Sequence, residues 1–365
     1  MTSKFRKLLK NPGFFFRDYF NKRYPIINCE LKITEDEETA IFHTENLIHK
    51  IESQFALNYD VDIVYTWVND KDTEWQEKKN SFLPKVHIDN VALNDARFED
   101  HNELYYSVLS VKKNLPWVRN IYIVSDNQKP IWLNEFKHVF LIDHKDIIDH
   151  NFLPTFNSHV IEAHLHKIPN LSENFIYFND DVMVAKPLSR LHFFRNNGLS
   201  SLFLSNKSLR EMQNKGVETP TLRASFNSKK ILLDRFDCDI DYPLVHTYIP
   251  LKKSIFEKVY SENLNRIHEF LPNKFRKDND LNLASFFVPW FMYWEGKSVI
   301  STEICYYFNI RSPYAMTQYK KLLNLKGKEL CPHSFCVNDF KSSCNDVKNF
   351  DENLNKFLTQ YFTNV

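Results

Sequence analysis

Apolar residues in this chain fall into short β-branched runs, separated by polar segments with helical spacing. The first run, Val61-Asp62-Ile63-Val64-Tyr65-Thr66-Trp67-Val68, reads as a buried strand that Asn69-Asp70 ends. A polar helix follows toward Leu83. Leu104, Val108 and Val111 recur at helical spacing, which predicts a helix from roughly Asn102 to Asn114, stopped by Pro116. Ile121-Tyr122-Ile123-Val124 reads as a second strand, Val139 to Ile142 as a third, and Phe175-Ile176-Tyr177-Phe178 as a fourth, preceded by a helix from about Ser158 to His166. This alternation predicts an α/β fold with a mostly parallel sheet and flanking helices.

In open sheets of that kind, ligands sit outside the carboxyl ends of the strands. Three strands here end in polar residues, Asn69-Asp70, Asp126-Asn127-Gln128 and Asn179-Asp180-Asp181, and together these ends predict a site. The second half is less regular. Helices are expected at Ser254 to Tyr260 and Leu281 to Tyr293, and a strand at Val299 to Cys305.

The amino-terminal segment differs in kind. From Lys4 to Arg23, seven basic residues interleave with Phe5, Leu8, Leu9, Phe14, Phe15, Phe16, Tyr19 and Phe20, and Pro12 can open a second short helix. Such a segment either lies on an anionic membrane surface or packs on the flank of a domain. Acidic residues cluster from Glu35 to Glu38. The expected organisation is a basic, aromatic helical appendage over 1–58, a main domain over 59–345 and a tail helix over 346–365.

Composition narrows the chemistry. The 47 Lys and Arg nearly cancel the 46 Asp and Glu, so no overall field draws in nucleic acid, and none is expected as a partner. With only five Gly there is no GxGxxG and no GxxxxGK[ST], so a bound phosphate must be held by a metal and by Arg, Lys or His. Six scattered cysteines read as reduced cytosolic thiols, although Cys331, His333, Cys336 and Cys344 offer a small zinc site of unfamiliar spacing. No apolar run reaches the roughly 18 residues of a membrane span. The expected location is cytoplasmic, at most peripheral on the inner face of the membrane.

Among candidate chemistry, Asp180-Asp181 at a strand end suits a hard divalent cation shared with phosphates, or else a plain Asp-rich turn. On the Ser158 to His166 helix, His159, Glu162 and His166 share one face, and Ile161, Leu165 and Ile168 another. The polar face either offers a carboxylate to a site or is solvated, and spacing alone favours solvent. Nothing local singles out His246 or Asp339, and Lys274-Phe275-Arg276-Lys277 reads as a charged surface loop.

Read together, these segments resemble the Stealth family of hexose-1-phosphate transferases, which includes bacterial capsule polymerases and the vertebrate N-acetylglucosamine-1-phosphotransferase that tags lysosomal enzymes. The first family segment resembles Asp62 to Val68. The second is similar to Arg97-Phe98 through Asn134, resuming with Ser158 to Ala163, Ile176-Tyr177 and Asn179-Asp180-Asp181. The third looks like His246 past Arg276 to Asp280, and the short fourth like Phe335-Cys336-Val337-Asn338-Asp339. Glu99 stands where the family usually shows Arg. The resemblance implies a Rossmann-like, GT-A-like nucleotide-sugar-binding domain with catalytic weight on Glu162, Asp181, His246 and Arg276. It further implies magnesium or manganese held by Asp181 and Asp339. The expected partners are a UDP-sugar donor, with its uridine near Thr66, Trp67, Val68, Asn69, Asp126 and Asn127, and a saccharide acceptor. Residues 1–24 would contact the membrane or a capsule-assembly complex. The expected reaction moves a hexose-1-phosphate to a saccharide hydroxyl and releases UMP. Its rivals are a metal-dependent glycosyltransferase that releases UDP and a carbohydrate-binding module without turnover.

Overall fold

The structure is a computed structural model and describes residues 8–9, 11–23, 59–83, 99–340 and 346–363. Among the described residues ten strands run in chain order: β1 (Val61–Thr66), β2 (Ile121–Ser125), β3 (Val139–Asp143), β4 (Asn174–Asn179), β5 (Val182–Val184), β6 (Ser200–Leu202), β7 (Ile249–Lys252), β8 (Ser298–Ile300), β9 (Cys305–Asn309) and β10 (Ser334–Asn338). The main sheet has the order β3-β2-β1-β4-β7, in which the first four strands are parallel and β7 is antiparallel to β4. It is an α/β sheet, mostly parallel, as the alternation of elements predicts.

Both faces of this sheet are covered, which explains its near-continuous apolar runs. Val64, Tyr122, Val124, Phe175 and Tyr177 turn to one core, with Val160 and Ala163 of the segment around the helix Ser158–Glu162. Their alternating neighbours Ile63, Tyr65, Ile123, Ile176 and Phe178 turn to another, with Leu104, Val108 and Val111 of the helix Glu103–Asn114. The period-2 alternation of side chains makes this division. Asp62 is the buried charge inside β1. Arg119 grips it with Nε at 2.9 Å from Oδ1, and the Ser172 amide donates to its Oδ2 at 2.8 Å. This staple lies at the amino end of β1, away from the polar strand ends.

A second sheet, β5-β10-β9, pairs β10 antiparallel to β5 and parallel to β9. Chain order therefore puts Asp180-Asp181 in the turn by which β4 of the main sheet passes into β5 of the second. The helix Phe350–Phe362 covers the second sheet, burying Leu354, Phe357 and Tyr361 with Phe335 and Val337. The strand expected at Val299 to Cys305 is in fact two, β8 and β9, in different sheets. The helix expected from Leu281 starts as a π-helical turn, Leu283–Phe287, where the Asn282 side chain accepts from the Ser285 amide, and becomes regular over Val288–Trp294.

One sequence expectation reverses. The helix at Ser158 ends at Glu162, a 3₁₀ turn Leu165–Lys167 follows, and His159, Glu162 and His166 are all buried, not solvated. The face is polar in sequence, but its neighbours in space accommodate it. His159 Nδ1 lies 3.0 Å from Asp280 Oδ2, and the His166 ring stacks on Phe256 at 5.0 Å. Burial pushes His166 down to about 3, so it stays neutral.

Met1–Gln54 and Phe55–Val365 are two compact units. Within the first, the helix Pro12–Arg23 leaves Phe16, Tyr19 and Phe20 exposed beside Lys22 and Arg23. Among the described residues no helix is long and apolar enough to cross a membrane.

Candidate active site

The turn after β4 is the centre of the site. Asp181 is gripped from β10 at three successive residues. Its backbone carbonyl accepts from the Val337 amide at 3.0 Å, and its Oδ2 accepts from Cys336 Sγ and from Asn338 Nδ2, each at 3.1 Å. Residues 336 and 338 share a face of the strand, so both side chains reach the same carboxylate. Oδ1 is left buried without a hydrogen-bond partner. His246 Nε2 stands 3.6 Å from Asp181 Oδ2 and 3.4 Å from Asn179 Nδ2, on a side chain 43% open to solvent.

The electrostatics are those of an anionic pocket. Burial, with Asp181 and Asp100 nearby, pushes Asp180 up to about 8. Burial would also raise Asp181, but the hydrogen bond and charge of His246 hold it below the usual carboxylate range. Partial burial works against the imidazolium of His246, yet Asp181, backed by Glu162 and Asp180, holds its pKa above the ordinary value. The Cys336 thiol is pushed well up by burial and by Asp181, and so stays protonated. Excess negative charge and an orphaned buried carboxylate oxygen fit a divalent cation, which takes oxygen ligands. The residues present therefore suit magnesium or manganese at Asp181.

Glu162 is buried and has no hydrogen-bond partner among the described residues. Its charge acts on His246 and on the Tyr177 hydroxyl, which also feels Asp180 and Arg276. Arg276 is not a free surface cation: Nη2 donates to Ser158 Oγ at 2.6 Å and Nη1 to Thr221 Oγ1 at 3.3 Å. Tyr177 OH in turn lies 3.0 Å from Thr66 Oγ1. Glu162, Asp181, His246 and Arg276, spread over more than a hundred residues of sequence, thus surround the carboxyl ends of β1 and β4.

The other expected residues divide. Gln128 clamps the Asn69 backbone at both ends, accepting from its amide at 2.9 Å and donating to its carbonyl at 2.8 Å. Trp67, at the end of β1, has its buried indole N–H beside the Asp100 carboxylate, whose charged form it favours. Asp126 is paired with Lys78 at 2.7 Å, and Asn127 takes a left-handed turn conformation. Val68 packs with Trp75, Phe156 and Phe275. Asp339 lies in another set: Arg311 Nη2 donates to it at 2.7 Å, His101 Nε2 is 3.0 Å away, and Glu99 accepts from the same guanidinium. Asp181 instead groups with His246 and Cys336. Arg311 and His101 contact the Asp339 carboxylate, and Glu99, His101 and Asp339 form a second set of donor atoms close enough to hold a metal ion. The zinc idea also dissolves, since Cys331 neighbours Tyr361, His333 neighbours Glu303 and Cys336 faces Asp181, while Cys344 lies outside the described residues.

Sequence reasoning missed Arg311, and it missed what Cys336 and Asn338 do for Asp181. For the latter a signal existed, in polar residues at alternate positions of an otherwise apolar strand. For Arg311 none did.

Family models for Stealth protein conserved region 1 and conserved region 2 match residues 59–86 and 97–202. A capsular polysaccharide phosphotransferase of Haemophilus influenzae is 56% identical over 98% of this chain and 100% of its own length. A second, from Actinobacillus suis, is 53% identical over 100% and 99%. The chain belongs to the Stealth family of capsular polysaccharide phosphotransferases. Among solved structures, a galactosyltransferase bound to donor and acceptor sugar analogues is 10% identical, with a TM-score of 0.41, over 83% of this chain and 97% of that one. The two matched regions of this Stealth protein contain β1 to β6, and with them Glu162 and Asp181. His246, Arg276 and Asp339 lie beyond them.

Proposed function

We propose that this Stealth protein transfers a hexose-1-phosphate, of an N-acetylhexosamine by preference, from a UDP-sugar to a saccharide hydroxyl in capsular or surface polysaccharide synthesis. The observation that carries the reading is the meeting of Glu162, Asp181, His246 and Arg276 at the carboxyl ends of β1 and β4. Acid, imidazole and guanidinium groups around one strand end suit a pyrophosphate better than a neutral sugar.

A divalent cation at Asp181 would cancel charge on the diphosphate that repels a nucleophile. The chain's own residues do the rest. The uridine rests near Thr66, Trp67 and Asn69, at the carboxyl end of β1. The acceptor hydroxyl attacks the phosphorus nearer the sugar, the bond from that phosphorus to the UMP oxygen breaks, and UMP leaves. His246 takes the hydroxyl proton on the ring nitrogen that faces away from Asp181, while Asp181, beside Nε2, orients the ring. Arg276, released from Ser158 and Thr221, meets the phosphoryl oxygens as charge develops. Glu162 orients the acceptor. The C1–O bond survives, so the anomeric configuration of the sugar is kept in the phosphodiester.

The released nucleotide tests this reading. UMP is expected; UDP would mean that C1–O is cleaved and that the enzyme is a glycosyltransferase. The exposed Phe16, Tyr19 and Phe20 beside Lys22 and Arg23 support peripheral contact with an anionic membrane from the cytoplasmic side. Deleting residues 1–24 is expected to shift the protein from anionic vesicles to the supernatant with turnover of soluble acceptors unchanged. Unchanged sedimentation would reject that contact.

A further inference from the structure

Three donors of different softness meet at the site: a carboxylate, an imidazole and a thiol. Asp181 Oδ2 lies 3.1 Å from Cys336 Sγ and 3.6 Å from His246 Nε2, and the three donor atoms all fall within 4.8 Å of one another. Two ligands on one tetrahedral zinc, with bonds of about 2.0–2.3 Å, stand about 3.3–3.7 Å apart, close to this spacing. The set is open on one side, because the His246 side chain is 43% exposed. It also has a spare oxygen in the unpartnered Asp181 Oδ1. A magnesium site built for phosphate has no use for sulfur, since hard cations select oxygen.

We propose that Asp181, His246 and Cys336 form a binding site for a thiophilic divalent cation, zinc or cadmium, in which Cys336 becomes a thiolate ligand. The inference rests on the cation position of the proposed function and adds a second mode to it. With a hard cation, Cys336 keeps its proton and remains a hydrogen-bond donor that fixes the Asp181 rotamer. With a soft one, the sulfur–proton bond breaks, a sulfur–metal bond forms and the proton goes to solvent. The soft ion then draws the His246 imidazole into its coordination sphere, and a coordinated imidazole cannot accept a proton. Zinc therefore acts as an inhibitor that competes with magnesium. Other histidine clusters carry less. In the set His192, Glu303 and His333, the Ile304 amide donates to His333 Nδ1 at 3.1 Å, so that lone pair is already used.

The test uses the full chain without donor sugar or turnover, so its failure is distinct from a failure of the UMP assay. Zinc X-ray absorption on wild-type protein loaded with one equivalent of zinc is expected to show one sulfur at about 2.3 Å. A first shell of oxygen and nitrogen alone would overturn the proposal. Cadmium titration followed by the ultraviolet thiolate-to-metal band is expected to give a tight first equivalent that Cys336→Ser and Cys336→Ala both lose. A band of equal size and affinity in folded variants would assign the sulfur to another cysteine and overturn the proposal. The wild-type absorption result stands whether or not the variants fold.

Discussion

His246 Nε2 and Asp181 Oδ2 face each other at 3.6 Å across the junction of two sheets, the imidazole half open to solvent and the carboxylate fixed from behind by Cys336 and Asn338. In the proposed reaction an acceptor would meet the open side of the imidazole, and the fixed carboxylate would keep the ring oriented. Replacing His246 with Ala removes an accessible side chain and leaves the fold intact. We expect turnover to fall by about 10²–10³-fold with an unchanged circular dichroism spectrum. Retention of more than about a tenth of the wild-type rate would remove His246 from the role of base.

Arg276 offers a sharper comparison. Its two-pronged hold on Ser158 and Thr221 shows the fork that a phosphoryl group would take over. Arg276→Lys keeps the charge and loses the fork. Turnover is expected to drop about 10²-fold in Arg276→Lys and no further than about tenfold more in Arg276→Ala. Full activity of the Lys variant would make charge alone sufficient.

Glu162 is a buried residue whose carboxylate adds to the negative charge that Asp181 and Asp180 place around His246, and like charges gathered in one place oppose folding. Glu162→Gln keeps the shape and discards the charge. Thermal denaturation is expected to give a melting temperature equal to or above wild type, while turnover falls about 10²-fold. A variant that is less stable and still active would make Glu162 a structural residue.

His101 links the pH response to stability. Burial acts to lower it, but hydrogen bonding to Asp339 and the charges of Glu103, Asp339 and Asp351 raise it to about 9, with Arg311 the opposing cation on Asp339. A pKa raised on folding stabilises fully below the unfolded value of about 6.5, and the contribution vanishes as pH rises through about 9. The melting temperature of wild type should exceed that of His101→Gln by about 2–4 °C near pH 6, with the gap closed by about pH 10. A gap that widens with pH would contradict the assignment.

Magnesium gives a last check on Asp181. A ligand that binds only the folded state raises stability by about 2.7 kcal/mol at a hundredfold excess over Kd. Wild type is expected to gain melting temperature on magnesium addition and Asp181→Ala to gain none. An equal gain in both would move the cation elsewhere.

Much of the main sheet is legible in sequence because its strands are covered on both faces, and continuous runs such as Ile121 to Val124 advertise that burial. The polar strand ends Asn69 and Asp180-Asp181 are legible for the same reason. What the sequence hides is which polar groups are satisfied at a distance. His159 looks solvated until Asp280, 121 residues on, meets it, and nothing near Asp339 in sequence announces that Arg311 and His101 contact its carboxylate. Residues 84–98, which include Val91 and Leu93, lie outside the described residues, and so does most of the expected appendage over 1–58.

The grip of β10 on Asp181 sets an order of assembly. Val337, Cys336 and Asn338 emerge from the ribosome some 155 residues after the aspartate they fix. A nascent or truncated chain can close β1 to β4 into a sheet and still present a carboxylate with nothing behind it. Competence therefore arrives only once β10 has folded back, and fragments ending before Ser334 should be inert however well their first sheet forms.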